Sequence, residues 1–233
     1  MGSIISKVLL ALVFFLYLPD IHAFDIEITG KEIEGFARGE YNRGFYYYGE
    51  ISSTGVVEFN DRYAVKSGIS LGKTAFDADV KAFASVRFSP LARKPLHLTA
   101  AYIFNGLPEY KAYAHTILPA VFYNARRAGI GVGTCFRFTS FFSEPALFEA
   151  VLSLSSYFNF INRESLRIGI TCANFNDFTA RNMGAYTYAL NTAVRINKNW
   201  TVINDVELIQ GGSVAMSAAF YGVAWKGGAK FTW

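Results

Sequence analysis

The stretch "AFDADVKAFASVRF", residues 75–88, alternates between two kinds of residue. Its even positions are apolar throughout, whereas its odd positions are polar or small except at Phe83. Because successive side chains of a β-strand point to opposite faces, this pattern predicts a strand with one apolar face. It runs for fourteen residues, whereas strands of globular proteins usually have about 5–6. The excess length therefore needs an explanation beyond a soluble β-sandwich.

The same alternation recurs along the chain, with one apolar or aromatic face and one small or charged face. It is found at residues 63–71, 128–138, 166–172, 186–196 and 223–233. Turn-forming residues separate these segments and predict about twelve strands, with ten as the alternative. Residues 146–161 could also be interpreted as a helix. A strand that crosses a membrane needs about 9–11 residues, and its sheet must close to pair every backbone group. The predicted fold class is all-β, a closed antiparallel transmembrane β-barrel.

The N-terminus has the features of an export signal. Lys7 precedes the apolar run Val8–Leu18, which is followed by Pro19 and a small residue at Ala23. The run is shorter than the about 17–25 residues of a transmembrane helix, so we predict a signal peptide at residues 1–23. An N-terminal membrane anchor is the alternative. The remaining residues, 24–233, are predicted to form a single barrel domain.

The last strand carries a recognisable pattern. Lys226, Gly228, Phe231 and Trp233 are a polar residue, a glycine, an aromatic residue and a terminal aromatic residue at defined spacing. This pattern resembles the C-terminal assembly signal of bacterial outer-membrane β-barrel proteins. The resemblance implies export to the outer membrane, contact with lipid, and assembly by periplasmic chaperones and the barrel-insertion machinery. It also implies that Phe231 and Trp233 face lipid.

Residues on the polar face of each strand are expected to point into the lumen. By parity this set comprises Glu50, Lys66, Asp77, Asp79, Lys81, Arg87, Arg137, Glu149, Arg167, Arg195, Asp205, Glu207, Lys226 and Lys230. Eight are basic and six acidic, a difference of +2 that predicts a weak preference for anions if the lumen is open. Lys66 is expected beside Asp77 or Asp79, and Arg195 beside Asp205 or Glu207. These charges could form a structural ladder of ion pairs or line a polar conduit.

Other chemistry has little support. The net charge of +4 is spread along the chain, which argues against a nucleic-acid partner. Outside the predicted signal peptide the histidines are His97 and His115, and neither is spaced with a nucleophile and an acid. No cofactor or metal site is expected. The segment "GIGVG" at 129–133 lacks the remainder of a phosphate-binding loop, so its glycines are expected to open lumen space or admit a close neighbour.

These observations give three functional hypotheses. The first is a narrow, porin-like channel for passive passage of small polar solutes. The second is a non-conducting structural or surface-interaction barrel, which long loops would favour, whereas the loops here are predicted to be short. The third is a membrane-embedded hydrolase, although we do not expect an enzyme.

The two cysteines are predicted to be free thiols. Cys135 shares strand parity with the inward Arg137, whereas Cys172 shares parity with the outward Ile168 and Ile170. One further strand separates theirs, at about 4.7–4.9 Å per strand, whereas a disulfide needs Cα atoms within about 7 Å.

Overall fold

Long antiparallel strands account for nearly all of the chain that can be described. The computed structural model describes residues 28–42, 47–74, 77–90, 95–141, 144–180, 185–211 and 219–233. The predicted signal peptide lies outside these residues. The strands are β1 (Ile28–Asn42), β2 (Tyr47–Phe59), β3 (Tyr63–Lys73), β4 (Ala78–Phe88), β5 (Leu96–Leu107), β6 (Ala112–Asn124), β7 (Ala128–Phe141), β8 (Glu144–Asn162), β9 (Leu166–Ala173), β10 (Thr187–Arg195), β11 (Trp200–Gly211) and β12 (Ala219–Thr232).

The twelve strands form one closed barrel in which every strand pairs with its neighbours in sequence, and β1 pairs with β12. The closing pair runs antiparallel from Glu32 opposite Thr232 to Asn42 opposite Gly222. Closure removes both sheet edges, so the backbone N–H and C=O groups of β1 and β12 are paired with each other. The predicted fold class and the strand number of twelve are confirmed.

The helical alternative for residues 146–161 is wrong, because these residues lie within β8. A short 3-10 helix, Pro108–Tyr110, stands between β5 and β6. Within the described ranges, no helix has the length and apolar character needed to cross a membrane.

The two ends of the barrel differ. We call the end where β1 begins and β12 finishes the terminal end, and the opposite one the loop end. At the terminal end β2 and β3 are joined by residues 60–62 and β6 and β7 by residues 125–127. At the loop end β9 and β10 are joined by residues 174–186. The expectation of short loops therefore fails at this connection.

The outer face of the wall is apolar. Tyr102, Ile117, Leu152, Leu190 and Trp225 are examples of large apolar side chains that are exposed there. Since one face of each strand points outwards, this surface is continuous around much of the barrel. Such a band is what a lipid-facing barrel wall requires.

Both cysteines are free thiols in the structure. Cys135 on β7 lies opposite Val151, and Cys172 on β9 lies opposite Ser156, so β8 runs between them. Cys135 is fully buried inside the barrel, whereas Cys172 is half-buried.

Candidate functional site

A segment of the β9–β10 connection folds into the barrel. Residues 174–180, which we call the plug segment, form a small loop closed by a bridge between Phe175 and Ala180. The side-chain oxygen of Asn176 accepts hydrogen bonds from the N–H groups of Phe178 (2.9 Å) and Thr179 (2.8 Å). This arrangement is an Asx-type turn, which stabilises the loop locally.

Polar contacts tie the plug segment to three strands. Asn174 accepts a hydrogen bond from Leu154 N at 2.8 Å and donates one to Leu152 O at 2.9 Å, so its amide continues the pairing of β8. On β7, Arg137 donates a hydrogen bond to the carbonyl oxygen of Ala180. On β3, Lys66 Nζ lies 2.6 Å from Asp177 Oδ2. The segment is thus attached at its start, middle and end.

Aromatic packing against the barrel wall also holds the plug segment. The ring of Phe178 meets Phe83 edge to face at 4.9 Å between centroids, and Phe175 meets Phe122 at 6.0 Å. With Ile103, Leu118, Ala120, Cys135 and Ala180 these rings form an apolar cluster inside the barrel. The cluster is contributed by β4 to β7 and by the plug segment, so this half of the lumen is filled by side chains.

Among the residues that the structure describes, the other half of the lumen is hollow. A cavity of about 540 Å³ opens towards the loop end, and one of about 440 Å³ opens towards the terminal end. The first is lined mainly by β1, β2 and the plug segment, and the second mainly by β8 to β11. Volumes of this size are typical of sites that hold small molecules.

Six residues line both cavities and mark the level at which they meet. We call them the waist: Glu34, Phe36, Thr171, Asp177, Asn191 and Lys226. Lys226 Nζ lies over the Phe36 ring, 3.8 Å from its centroid, so this ring face is occupied by a cation. Carboxylate, ammonium, amide and hydroxyl groups therefore surround the waist.

Phe36 owes its position to Gly228 on the neighbouring strand. A Cβ atom at Gly228 would clash with the Phe36 ring and with the carbonyl oxygen of Gly35. This glycine of the C-terminal pattern thus has a local packing role. Gly129 and Gly131 of the "GIGVG" segment are covered in the same way by the rings of Tyr157 and Phe122. These glycines admit a close neighbour rather than open lumen space.

Two ion-pair groups lie in the wall beside the loop-end cavity. Arg38 is bonded to Glu40 (2.8 Å) and to Glu207 (2.9 Å). Lys81 is bonded to Glu50 (2.8 Å) and to Asp79 (3.2 Å), and Tyr48 joins this second group. Each base is therefore shared by two carboxylates, which leaves each group with one excess negative charge.

Most of the predicted lumen residues fall into three places. Lys66, Lys81, Arg167, Asp205, Glu207, Glu50 and Lys226 line the cavities. Wall pairs that line neither cavity include Arg87–Glu58, Arg137–Glu149 at 3.3 Å and Lys230–Glu32 at 3.3 Å. Arg195 pairs with Glu164 at an exposed turn of the terminal end.

Asp77 lies at the loop end, before β4 begins. Its carboxylate accepts a hydrogen bond from the Tyr110 hydroxyl, and this bond raises the pKa of Tyr110 above its ordinary value. Asp77 therefore belongs to the rim of the barrel rather than to the wall of the lumen.

The predicted neighbours of two charges were wrong. Lys66 lies opposite Ser85 and pairs with Asp177, and Asp79 pairs with Lys81 on its own strand. Arg195 lies opposite Thr201, whereas Asp205 lies opposite Asn191. In an antiparallel hairpin, residues near the start of one strand face residues near the end of the next, and parity does not give this register.

Strand β1 was missing from the predicted lumen set. Its residues Glu32, Glu34, Arg38 and Glu40 point inwards and pair with lumen charges or line the loop-end cavity. The alternation was hidden because the outward positions are small, at Gly35, Ala37 and Gly39. The charged residues at every second position, Glu32 with Glu34 and Arg38 with Glu40, were the available signal.

The charged lining is consequently balanced. Acidic residues of the two cavities are Glu34, Glu40, Glu50, Asp177, Asp205 and Glu207, and basic residues are Arg38, Lys66, Lys81, Arg126, Arg167 and Lys226. With six of each among the described residues, this lining lacks the excess of +2 on which the predicted anion preference rested.

A serine–histidine pair lies at the terminal end. Ser89 Oγ and His97 Nδ1 are 2.8 Å apart, and Ser89 is 3% exposed. His115 instead contacts Tyr102 on the outer face, at 2.7 Å. Among the described residues, no group of His, Cys, Asp and Glu side chains is arranged to hold a metal ion.

Comparison of the structure with solved structures gives clear similarities at low sequence identity. An outer membrane channel from Pseudomonas putida F1 superposes with a TM-score of 0.57 at 7% identity, over 89% of this chain and 96% of that one. The translocator domain of the autotransporter NalP from Neisseria meningitidis superposes with a TM-score of 0.52 at 11% identity, over 99% and 95%.

The KdgM porin, solved in complex with disordered oligogalacturonate, superposes with a TM-score of 0.54 at 8% identity, over 86% and 98%. The protein has the fold of bacterial outer-membrane β-barrels. No family model matches this barrel protein, and no curated protein does so either. The class suggested by the C-terminal pattern is thus confirmed at the level of the fold.

The terminal aromatics of the barrel protein lie where the pattern implies. Phe231 shares parity with the outward Trp225, and its ring contacts Trp200 at 5.0 Å and Trp233 at 5.4 Å. Trp233 N donates a hydrogen bond to Lys31 O at 3.2 Å, which extends the β1–β12 seam to the last residue. These rings form an aromatic group on the outer face at the terminal end, as in the girdles of membrane barrels.

Proposed function

We propose that the protein is a narrow channel of the bacterial outer membrane through which small polar solutes pass passively. The observation that carries the proposal is the pair of cavities that meet at a polar waist on one side of the lumen. Charged and amide side chains line this route, whereas the opposite half is filled by the apolar cluster. A route of this kind admits water and small solutes and excludes bulky ones.

The orientation follows from the ends of the barrel. Barrels of this class have short turns on the periplasmic side and longer loops on the cell exterior. The loop end therefore faces the exterior, and the plug segment controls entry from that side. The C-terminal pattern supports assembly by periplasmic chaperones and the insertion machinery, and the N-terminal segment supports export.

Single-channel recording of refolded protein in planar lipid bilayers tests the proposal. Wild-type protein is expected to give steady conductance. Ser52 lines the loop-end cavity, and its neighbour Ser53 has the opposite strand parity, so Ser52→Trp is expected to reduce conductance whereas Ser53→Trp is not. A silent bilayer with heat-modifiable, folded wild-type protein would favour the non-conducting barrel instead.

We also propose that the protein is not an enzyme. Ser89 is buried and lies outside the lining of both cavities, and no carboxylate bonds to its partner His97 within the described residues. A nucleophile needs access to substrate and an oriented base. Hydrolysis of ester or peptide probes that disappears in Ser89→Ala would contradict this proposal.

A further inference from the structure

Acidic and basic side chains are unevenly distributed along the barrel axis in the hollow half of the lumen. The loop-end cavity above the waist has three acidic and two basic lining residues: Glu40, Glu50, Glu207, Arg38 and Lys81. The terminal-end cavity below the waist has one acidic and three basic lining residues: Asp205, Lys66, Arg126 and Arg167. The waist itself adds two carboxylates and one ammonium group. Among the described residues, the lining is therefore balanced in total but negative towards the loop end and positive towards the terminal end.

Ion pairing strengthens the separation of charge at the loop end. Both bases there, Arg38 and Lys81, are each held by two carboxylates. Neither guanidinium nor ammonium group is free to attract an anion, and the excess charge of each group is negative. Asp79 adds a further carboxylate behind the lining.

The terminal end has the opposite arrangement. Arg167 and Arg126 have no carboxylate partner among the described residues, and both are exposed to the cavity. The one acidic lining residue below the waist among the described residues, Asp205, lies 3.9 Å from Lys226 Nζ and accepts a hydrogen bond from Asn191 at 3.0 Å. Two solvated guanidinium groups thus dominate this cavity.

Each half acts separately on a solute. The Debye length is about 8 Å at physiological ionic strength, so a charge in one cavity is screened from much of the other. Within a narrow space with low-dielectric walls, local fields are focused. A cation is attracted in the loop-end cavity and repelled in the terminal-end cavity. An anion is repelled in the first and attracted in the second.

We propose, on the basis of the channel function above, that the lumen is a bipolar conduit for small zwitterions, which carry an ammonium and a carboxylate group. Such a solute places its ammonium group near Glu34 and the loop-end carboxylates. Its carboxylate then lies towards Arg167 and Arg126. Because both charged groups of the solute are stabilised at once, on opposite sides of the waist, a zwitterion enters the lumen more favourably than a neutral molecule of the same size.

Swelling of proteoliposomes distinguishes this proposal from the channel itself. The probes are isosmotic 4-aminobutyrate, a zwitterion, and 4-hydroxybutyramide, a neutral molecule of similar size. We expect the zwitterion to enter about two-fold faster or more, because the fields of both halves act on it. Current through the same protein is expected to be asymmetric in voltage at low salt and nearly symmetric at 1 M, where screening shortens to about 3 Å.

Matched variants test whether the terminal-end arginines cause the faster entry of the zwitterion. Arg167→Gln and, independently, Arg126→Gln are expected to bring the ratio of the two swelling rates towards one. Arg163 lies in the adjacent exposed turn and lines neither cavity, so Arg163→Gln should keep the wild-type ratio. A heat-dependent gel shift verifies that each variant forms a closed barrel.

The results distinguish failure of the channel function from failure of the bipolar conduit. Entry of neither probe contradicts the channel function and this inference with it. Equal entry of both probes with symmetric low-salt current overturns the bipolar conduit and leaves the channel intact. Faster entry of the zwitterion that persists in both arginine variants also overturns it, because the terminal-end charges would then have no part in the preference.

Discussion

Lys66 Nζ on β3 and Asp177 Oδ2 in the plug segment are joined by an ion pair of 2.6 Å across the lumen. The two residues are 111 positions apart in the chain, so only the tertiary fold, with the plug segment inside the barrel, brings them together. This contact fixes the middle of the plug segment beside the waist, where Asp177 is a lining residue. Among the described residues, it is the ion pair that links the wall to the plug segment.

Removing the ammonium group should loosen this link. In Lys66→Met we expect single-channel conductance to rise by about two-fold, because a partly buried carboxylate that loses its partner is no longer held at its position. Lys198→Met, at an exposed turn of the terminal end, is the matched control. Unchanged conductance in Lys66→Met would show that the aromatic contacts hold the segment without the ion pair.

Cys135 reports the position of the plug segment through its accessibility. Its side chain is fully buried in the cluster that contains Phe178 and Ala180. In a Cys172→Ser background, a water-soluble maleimide should leave Cys135 unmodified. Phe178→Ala removes the ring that packs on Phe83, so labelling of Cys135 should become rapid, as mass spectrometry would detect.

The control for that experiment is Phe160→Ala, which removes an aromatic ring from the outer face of the wall. It should leave Cys135 protected. Rapid labelling of Cys135 without any substitution would contradict the docked position of the plug segment.

Two glycines on the β1–β12 seam should respond oppositely to the same substitution. Gly228→Ala is expected to lower the free energy of unfolding by about 1–3 kcal/mol, because the new methyl group clashes with the Phe36 ring and with backbone. Gly35 faces open space, so Gly35→Ala should leave stability unchanged or raise it by up to about 1 kcal/mol. Urea titration of the folded barrel in lipid vesicles measures both values, and equal effects would refute the packing argument.

The terminal aromatics should matter for assembly more than for export. Trp233→Asp places a charge in the aromatic group with Phe231 at the β1–β12 seam. We expect the variant to be exported but to accumulate as unfolded, protease-sensitive protein that lacks a heat-dependent gel shift. Trp225→Leu, an apolar replacement of another outward Trp on β12, is the control and should insert normally. Normal insertion of Trp233→Asp would remove the evidence for a role of the tail in assembly.

The absence of a disulfide can be checked directly. With β8 between Cys135 and Cys172, and with the two side chains on opposite faces of the wall, we expect two free thiols after purification without reductant. Intact-mass measurement after alkylation should show two modifications once the protein is denatured. A 135–172 bridge would contradict the strand register of this region.

The sequence by itself determined the class of fold, because the side-chain alternation of a strand is a local property. Residues 75–88 show it without reference to any partner, and the length of such segments requires closure once they are placed in lipid. The strand number of twelve followed from turn-forming residues, and the outward position of Phe231 followed from parity. The inward charges of β1 were equally local, but their small outward neighbours concealed the pattern.

The tertiary structure decided what the lumen contains. Register places Lys66 opposite Ser85, and the plug segment brings Asp177 to it, although neither relationship is encoded within one strand. Phe175 and Phe178 stand in a polar, turn-forming stretch, and only the closed barrel offers them the rings of Phe122 and Phe83 to pack against. Whether the lumen is filled or hollow depends on these non-local contacts, because side-chain packing is a property of neighbours in space and not in sequence.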